Sequence, residues 1–159
     1  MEYSSEKTLL EYFYSREKSH PQKVLLRQPF GDNYKDFTWE DVGKQARKIA
    51  SYLISLSLPD KSNIGLVSKN CAEWIITDLG IMMSGHIPVP FYPTLTGEQL
   101  NQVLVHSECK ALFVGKLDDP KGIQKGIPSE VIKISFPTYN PDIKPVSYTH
   151  LTLQTSDQV

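Results

Sequence analysis

Residues 70–96 read NCAEWIITDLGIMMSGHIPVPFYPTLT, and this stretch decides the fold class. Asn70 is a good helix N-cap and Glu73 follows three residues later, close to a capping box in which each end satisfies the other's backbone donor. At about 100° per residue, Glu73, Thr77, Gly80 and Ser84 form one narrow polar stripe, and Trp74, Ile75, Ile76, Leu79, Ile81, Met82 and Met83 cover the rest. A helix so apolar around its circumference is predicted to be largely buried. Gly85 fits the position after a helix end, where a left-handed backbone is needed. Ile87–Phe91 reads as a short buried strand. Pro88 and Pro90 each remove a ladder donor, so the strand is at an edge, or brief. Tyr92-Pro93-Thr94 leaves it as a rigid loop. Asp78 falls on an apolar side of the helix. It reads either as a functional carboxylate or as a buried Asp accepting N–H bonds from a neighbouring loop, and the rule that buried polar groups are satisfied structurally favours the second.

Outward from this stretch the chain alternates elements. A short helix over residues 5–17 carries Leu9, Leu10, Tyr12 and Phe13. Val24–Arg27 and Tyr34–Thr38 read as strands around the turn formers Pro29-Phe30-Gly31-Asp32-Asn33, a hairpin pattern. Thr38, with Asp41 three residues on, caps a helix whose Trp39, Val42, Ala46, Ile49, Ala50 and Leu53 recur at helical spacing. Lys44, Arg47 and Lys48 on that helix read as a solvated face before they read as a phosphate patch. Residues 63–68 form a strand. Thr96 and Gln99 make another capping box, opening a helix that buries Leu100, Val103 and Leu104. Residues 110–114 and 131–136 are further strands, and 118–128 is a Gly/Lys/Pro-rich loop. The order strand, helix, strand, helix, strand predicts an α/β fold: a partial layered parallel sheet with flanking helices, preceded by a helix and a β-hairpin.

The 159 residues suffice for one domain that buries about two thirds of its unfolded surface. Seventeen Lys and Arg against 18 Asp and Glu give a net charge of −1, which carries no electrostatic footprint for nucleic acid. The first residues lack the basic start and apolar run of a signal peptide, and no apolar run approaches the ~20 residues that span a bilayer. Cys71 and Cys109 stand alone without C-x-x-C spacing. They are expected to be reduced, buried thiols, and the protein is expected to be cytoplasmic.

Catalytic signatures are sparse. There is no G-x-x-x-x-G-K-[ST] loop, no G-x-G-x-x-G and no G-x-S-x-G. Gly122 and Gly126 lack a following Lys-Ser/Thr. His20, His86, His106 and His150 have no metal-ligand spacing. His86 beside a helix-ending glycine, and His106 at a helix C-terminus where the dipole favours a cation, both read as structural.

Phe37-Thr38-Trp39, then Asn70-x-x-Glu73-Trp74, Asp78, Gly85 and Val89-Pro90-x-Tyr92-Pro93-Thr94 occur in order and at suitable spacing. Together they resemble the N-terminal region of AMP-forming acyl-CoA synthetases, the adenylate-forming superfamily. The VPxYPT form is most similar to the long-chain fatty acid ligase branch. The resemblance covers roughly residues 5–117 and continues more weakly to about 142, so residues 1–142 are expected to be a partial N-terminal AMP-binding synthetase domain. It implies a large N-terminal domain of layered α/β subdomains followed by a small mobile one. It also implies ATP-Mg2+-dependent activation of a fatty acid to an acyl-adenylate, then transfer to coenzyme A with release of AMP. AMP is a far better leaving group than the hydroxide of a free carboxylate. A fatty acid would be the partner, without nucleic acid or a membrane-spanning segment, and peripheral membrane contact is compatible with that role.

The family's Ser/Thr/Gly-rich phosphate loop ending Pro-Lys-Gly does not follow. Ser147-Tyr148-Thr149 imitates its start, yet His150-Leu151-Thr152-Leu153 comes next, and no glycine occurs after Gly126. Backbone N–H groups cannot be brought close to phosphates by such a segment. The later adenylate-binding, ribose-binding, hinge and C-terminal lysine motifs are also missing. No catalytic, cofactor-binding or metal residue is therefore assigned, and the chain is expected to be an inactive N-terminal fragment. The string VSYTHLTL, residues 146–153, resembles translated sequencing-adapter read-through, so 143–159 is expected to be an irregular tail that is not native from about residue 146. The alternatives are a non-catalytic binding or scaffold module that keeps part of the fold, and an unrelated nucleotide-binding domain of flavodoxin-like order. The second of these lacks a Gly-rich turn after its first strand.

Overall fold

The computed structural model describes residues 7–136. The expectations for the 143–159 tail, Ser147–Thr149 and His150 lie outside those residues. In chain order the elements are α1 (Leu9–Ser19), β1 (Val24–Phe30), β2 (Asn33–Thr38), α2 (Trp39–Ser55), β3 (Asn63–Val67), α3 (Ala72–Met83), β4 (Ile87–Phe91), α4 (Gly97–His106), β5 (Ala111–Val114), α5 (Pro120–Lys125) and β6 (Ile132–Ser135).

Strands β1 and β2 pair antiparallel. The other four form a parallel sheet in the order β4-β3-β5-β6. The expected α/β class, parallel sheet and preceding helix and hairpin are all present. The hairpin loop is tighter than its turn formers suggested. Phe30 pairs with Asn33, and Gly31, at φ +56°, makes the reversal. Pro29 and Phe30 therefore belong to the strand, which a proline tolerates on a two-stranded ribbon.

Successive residues of the central strands face opposite sides, as a pleated sheet requires. Ile64, Leu66, Ala111, Phe113 and Ile134 pack with α1, α2, α3 and the hairpin in one core. Val67, Leu112 and Val114 pack with Leu100 and Leu104 of α4 and Ile123 of α5 in the other. Both faces of the sheet are thus covered, which explains why β3 and β5 read as continuous apolar runs.

Caps close α1, α2 and α4. Thr8 and Glu11, Thr38 and Asp41, and Thr96 and Gln99 each form a reciprocal capping box. Helix α1 consequently starts at Leu9 rather than at residue 5. Residues 118–128 are not all loop: Asp119 caps α5, with Pro120 in its first turn.

In the deciding stretch, α3 ends as expected. Gly85 takes φ +80°, and its N–H donates to the Met82 carbonyl at 3.0 Å. Strand β4 lies at the sheet edge next to β3, and its residues are half-buried or exposed rather than buried as expected, because an edge strand has a neighbour on one side only. Two further expectations are corrected. Asn70 does not cap α3; Cys71 occupies that position without a side-chain bond. The stripe through Thr77 and Gly80 is also not a polar face. Both residues are buried, and an added Cβ on Gly80 would lie 2.7 Å from Ile49 Cβ and 2.9 Å from the Ala46 carbonyl. Small residues here let α2 and α3 approach closely, so low hydrophobicity marks an interface rather than solvent.

Candidate functional site at the carboxyl ends of the strands

The strand order makes the chain leave β3 toward β4 on one side and return to β5 on the other. Neighbouring strands β3 and β5 therefore send their following segments apart, and a crevice opens outside their carboxyl ends. In open α/β sheets this switch point is where ligands bind. Here it has a volume of about 350 Å³, and Gln28, Asn70, Cys71, Ala72 and Lys116 are among its lining residues.

The two strand-end loops are tied together. Ser68 Oγ accepts the Lys116 N–H at 2.9 Å and donates to the Lys69 carbonyl at 2.7 Å. The Lys69 N–H donates to the Lys116 carbonyl at 2.8 Å. Gly115 has no room for a Cβ between Ser68 and the Phe136 ring. The Lys69 ammonium pairs with Asp118.

A helix N-terminus at such a crevice offers N–H groups and a positive dipole end to an anion. In this chain Gln28, reaching over from β1, uses that position. Its Oε1 accepts the Ala72 N–H at 2.8 Å, and its Nε2 donates to the Pro29 carbonyl at 3.2 Å. Gln28 is 8% exposed, so the hairpin supplies a buried cap that Asn70, beside it in sequence, does not. Arg27 on the crevice rim is held by Asp36, with two bonds of 2.6 and 2.7 Å. That hydrogen-bonded pairing raises the guanidinium pKa and lowers that of the carboxylate. Burial pushes the Cys71 thiol up from its ordinary value, and Cys109 likewise. Both cysteines are free and buried, as the sequence led one to expect, and neither is poised as a nucleophile.

The other residues singled out from the sequence do not converge on this crevice. Asp78 lies partly buried on the outer face of α3. Among the described residues no loop N–H reaches it, so the expected structural acceptor role is not seen, and burial raises its carboxyl pKa. His20 sits at the end of α1, with Nδ1 2.7 Å from Ser19 Oγ. His106 closes α4, and His86 follows Gly85 with a buried Nδ1 that no described group satisfies. Lys44 pairs with Glu40 at 2.9 Å and Arg47 with Glu17 at 2.5 Å, so this face of α2 is engaged in ion pairs. Gly126 packs against the Gly97 backbone where α4 meets α5, and with Gly97, Gly122 and Lys125 it lines a separate depression of about 430 Å³. Among the described residues no group of three His, Cys, Asp or Glu side chains could hold a metal ion. With the α3 cap taken by Gln28 and Arg27 held by Asp36, these residues do not fit the phosphates of ATP or coenzyme A.

Gln28 and Lys116 in the crevice lining, and Ser68 and Gly115 in the strand-end loops tied beside it, were not singled out from the sequence. A serine directly after a buried strand was the one local signal, and it gains meaning only once β3 and β5 are known to be neighbours.

The fold and crevice define a doubly wound parallel α/β domain with the strand order of flavodoxin-like sheets. A family model described as AMP-binding enzyme matches residues 13–149. The chain belongs to that family. It is 28% identical over 140 residues to fatty acyl-CoA synthetase A of Dictyostelium discoideum, covering 84% of this chain and 20% of that protein. It is 31% identical over 100 residues to the long-chain-fatty-acid–CoA ligase FadD15 of Mycobacterium bovis, covering 63% of this chain and 17% of that protein. The chain thus spans about a fifth or less of the length of these relatives. The crystal structure of IdnL1 superposes with a TM-score of 0.72 at 19% identity, over 85% of this chain and 27% of that one, and shows the same fold. Among the described residues no helix is long and apolar enough to cross a membrane.

Proposed function

We propose that this chain is the N-terminal part of an AMP-forming long-chain fatty acid–CoA ligase and is inactive by itself. One observation carries the reading: the chain matches fatty acid–CoA ligases in register, yet over only 17% and 20% of their lengths. The occupied helix N-terminus in the crevice supports it, because a phosphate would have to displace Gln28 from the Ala72 N–H. In this reading ATP, Mg2+, coenzyme A and the fatty acid are held by the longer polypeptide, which works in the cytoplasm and meets its fatty acid at a membrane surface. The residues described here are its scaffold: α2 and α3 fix the first layer, and the prolines of β4 end the sheet on that side.

The test is to read the native gene through and beyond the codon for Pro145. A frame continuing into a Ser/Thr/Gly-rich loop ending Pro-Lys-Gly is expected. Recovery of the codons for residues 146–159 followed by a stop would overturn the ligase reading for this chain and leave the binding or scaffold module.

A further inference from the structure

Helix α3 has an outer face that water does not explain. Trp74, Ile75, Asp78 and Met82 follow one another on one side of a 3.6-residue helix. Ile75 is 39% exposed, while Trp74 and Met82 are only partly buried against the core beneath. The twelve residues of α3 contain two ionisable side chains, Glu73 and Asp78, and no cation. Helix α2 beside it behaves as a surface helix should, with the Glu40–Lys44 pair on its outer side. An all-round apolar helix belongs inside a structure, yet this side of α3 is only partly covered: Ile75 borders the crevice beside β1, and Asp78 in the middle of that side is half-buried. Among the described residues Asp78 has no hydrogen-bond or ion-pair partner, and burial alone acts on its carboxyl.

Resting on the ligase reading above, we propose that this face is the seat of a later segment of the same longer polypeptide, an apolar surface that presents an arginine or lysine to Asp78. Charge complementarity selects the occupant. Covering Asp78 with apolar groups alone would strand a carboxylate, whereas a cation donating to it turns the same burial into a hydrogen-bonded pair. A second copy of this chain would bring another Asp78 and no cation on the matching face. The length also favours a segment in cis, since four fifths or more of the relatives' length lies outside the match.

The experiment compares the 159-residue chain with the polypeptide obtained by extending the native frame beyond Pro145. Hydroxyl-radical oxidation of Trp74 and Met82 is expected to be several-fold slower in the longer polypeptide. Asp78→Leu is expected to raise the melting temperature of the 159-residue chain, by relieving an unpaired carboxylate. In the longer polypeptide the same change lowers it by roughly 2–8 °C, by stranding the cation. Asp78→Asn, which keeps the size, gives a smaller loss there and serves if the Leu variant does not fold. Equal oxidation in both forms, or Asp78→Leu shifting both melting temperatures in the same direction, overturns the proposal. Protection that appears in the 159-residue chain as its concentration rises also overturns it, in favour of a second copy. A longer polypeptide that makes acyl-CoA without protecting Trp74 and Met82 leaves the ligase reading standing and this inference refuted. Absence of any longer frame refutes the ligase reading, and this inference falls with it.

Discussion

Replacing Gln28 with alanine should destabilise the chain, while replacing Asn70 with alanine should not. Gln28 Oε1 is the acceptor for the Ala72 N–H at 2.8 Å, and Gln28 and Ala72 are each 8% exposed. Without it, a helix-terminal donor is left in a site with little access to water. An unsatisfied buried donor costs about 1–3 kcal/mol, and loss of an ordinary N-cap about 0.5–2 kcal/mol. Gln28→Ala should therefore cost about 2 kcal/mol, or roughly 4–8 °C in melting temperature for a chain of this size. Asn70 is exposed and accepts no helix N–H, so Asn70→Ala should stay within about 0.5 kcal/mol of the parent. Urea unfolding followed by far-UV circular dichroism measures both, with unchanged m-values showing that stability alone has moved. The reasoning is refuted if Asn70→Ala costs as much as Gln28→Ala, or if Gln28→Ala is neutral.

Three further outcomes follow from the packing and the caps. Gly80→Ala gains helix propensity of up to about 1 kcal/mol but drives a methyl into Ile49 and the Ala46 carbonyl, for a net loss of about 1–2 kcal/mol in the same unfolding assay. Thr77→Val replaces a fully buried hydroxyl that has no partner among the described residues with a methyl of similar shape, and should leave stability unchanged or raise it by up to about 1 kcal/mol. The Asp41 carboxylate is held below its ordinary value of 3.8 first by the Thr38 backbone N–H and then by the Thr38 hydroxyl. Its depressed pKa means that its contribution is present at neutral pH and is lost as the pH falls through the folded-state value. The stability gap between the parent and Asp41→Ala should accordingly close on acidification, which unfolding curves across the acid range will show.

What could be read from the sequence was what is local. Thr38 with Asp41 and Thr96 with Gln99 are motifs of four residues whose partners are fixed by helix geometry, and they form as expected. Thr8 with Glu11 is the same motif, and giving it equal weight would have placed the start of α1. Gly85 and the two prolines of β4 announce backbone conformations that no distant contact alters. The cap of α3 was not legible, because its acceptor lies 44 residues away in sequence and a nearby Asn70 imitates a cap. Thr77 and Gly80 misled for a related reason: periodicity reports hydrophobicity, and close helix packing selects small side chains whatever their polarity. The crevice itself depends on β3 and β5 being neighbours, which strand periodicity does not encode. The family was nonetheless legible, because its motifs lie at turns, caps and edges, where residue type is dictated by the backbone.

The most direct test of the account is fatty acid-dependent exchange of pyrophosphate into ATP, measured side by side for the 159-residue chain and for the polypeptide extended along the native frame. No exchange above background is expected for the 159-residue chain, and clear exchange for the longer one. Exchange by the 159-residue chain alone would contradict it, and so would a folded longer polypeptide that supports none.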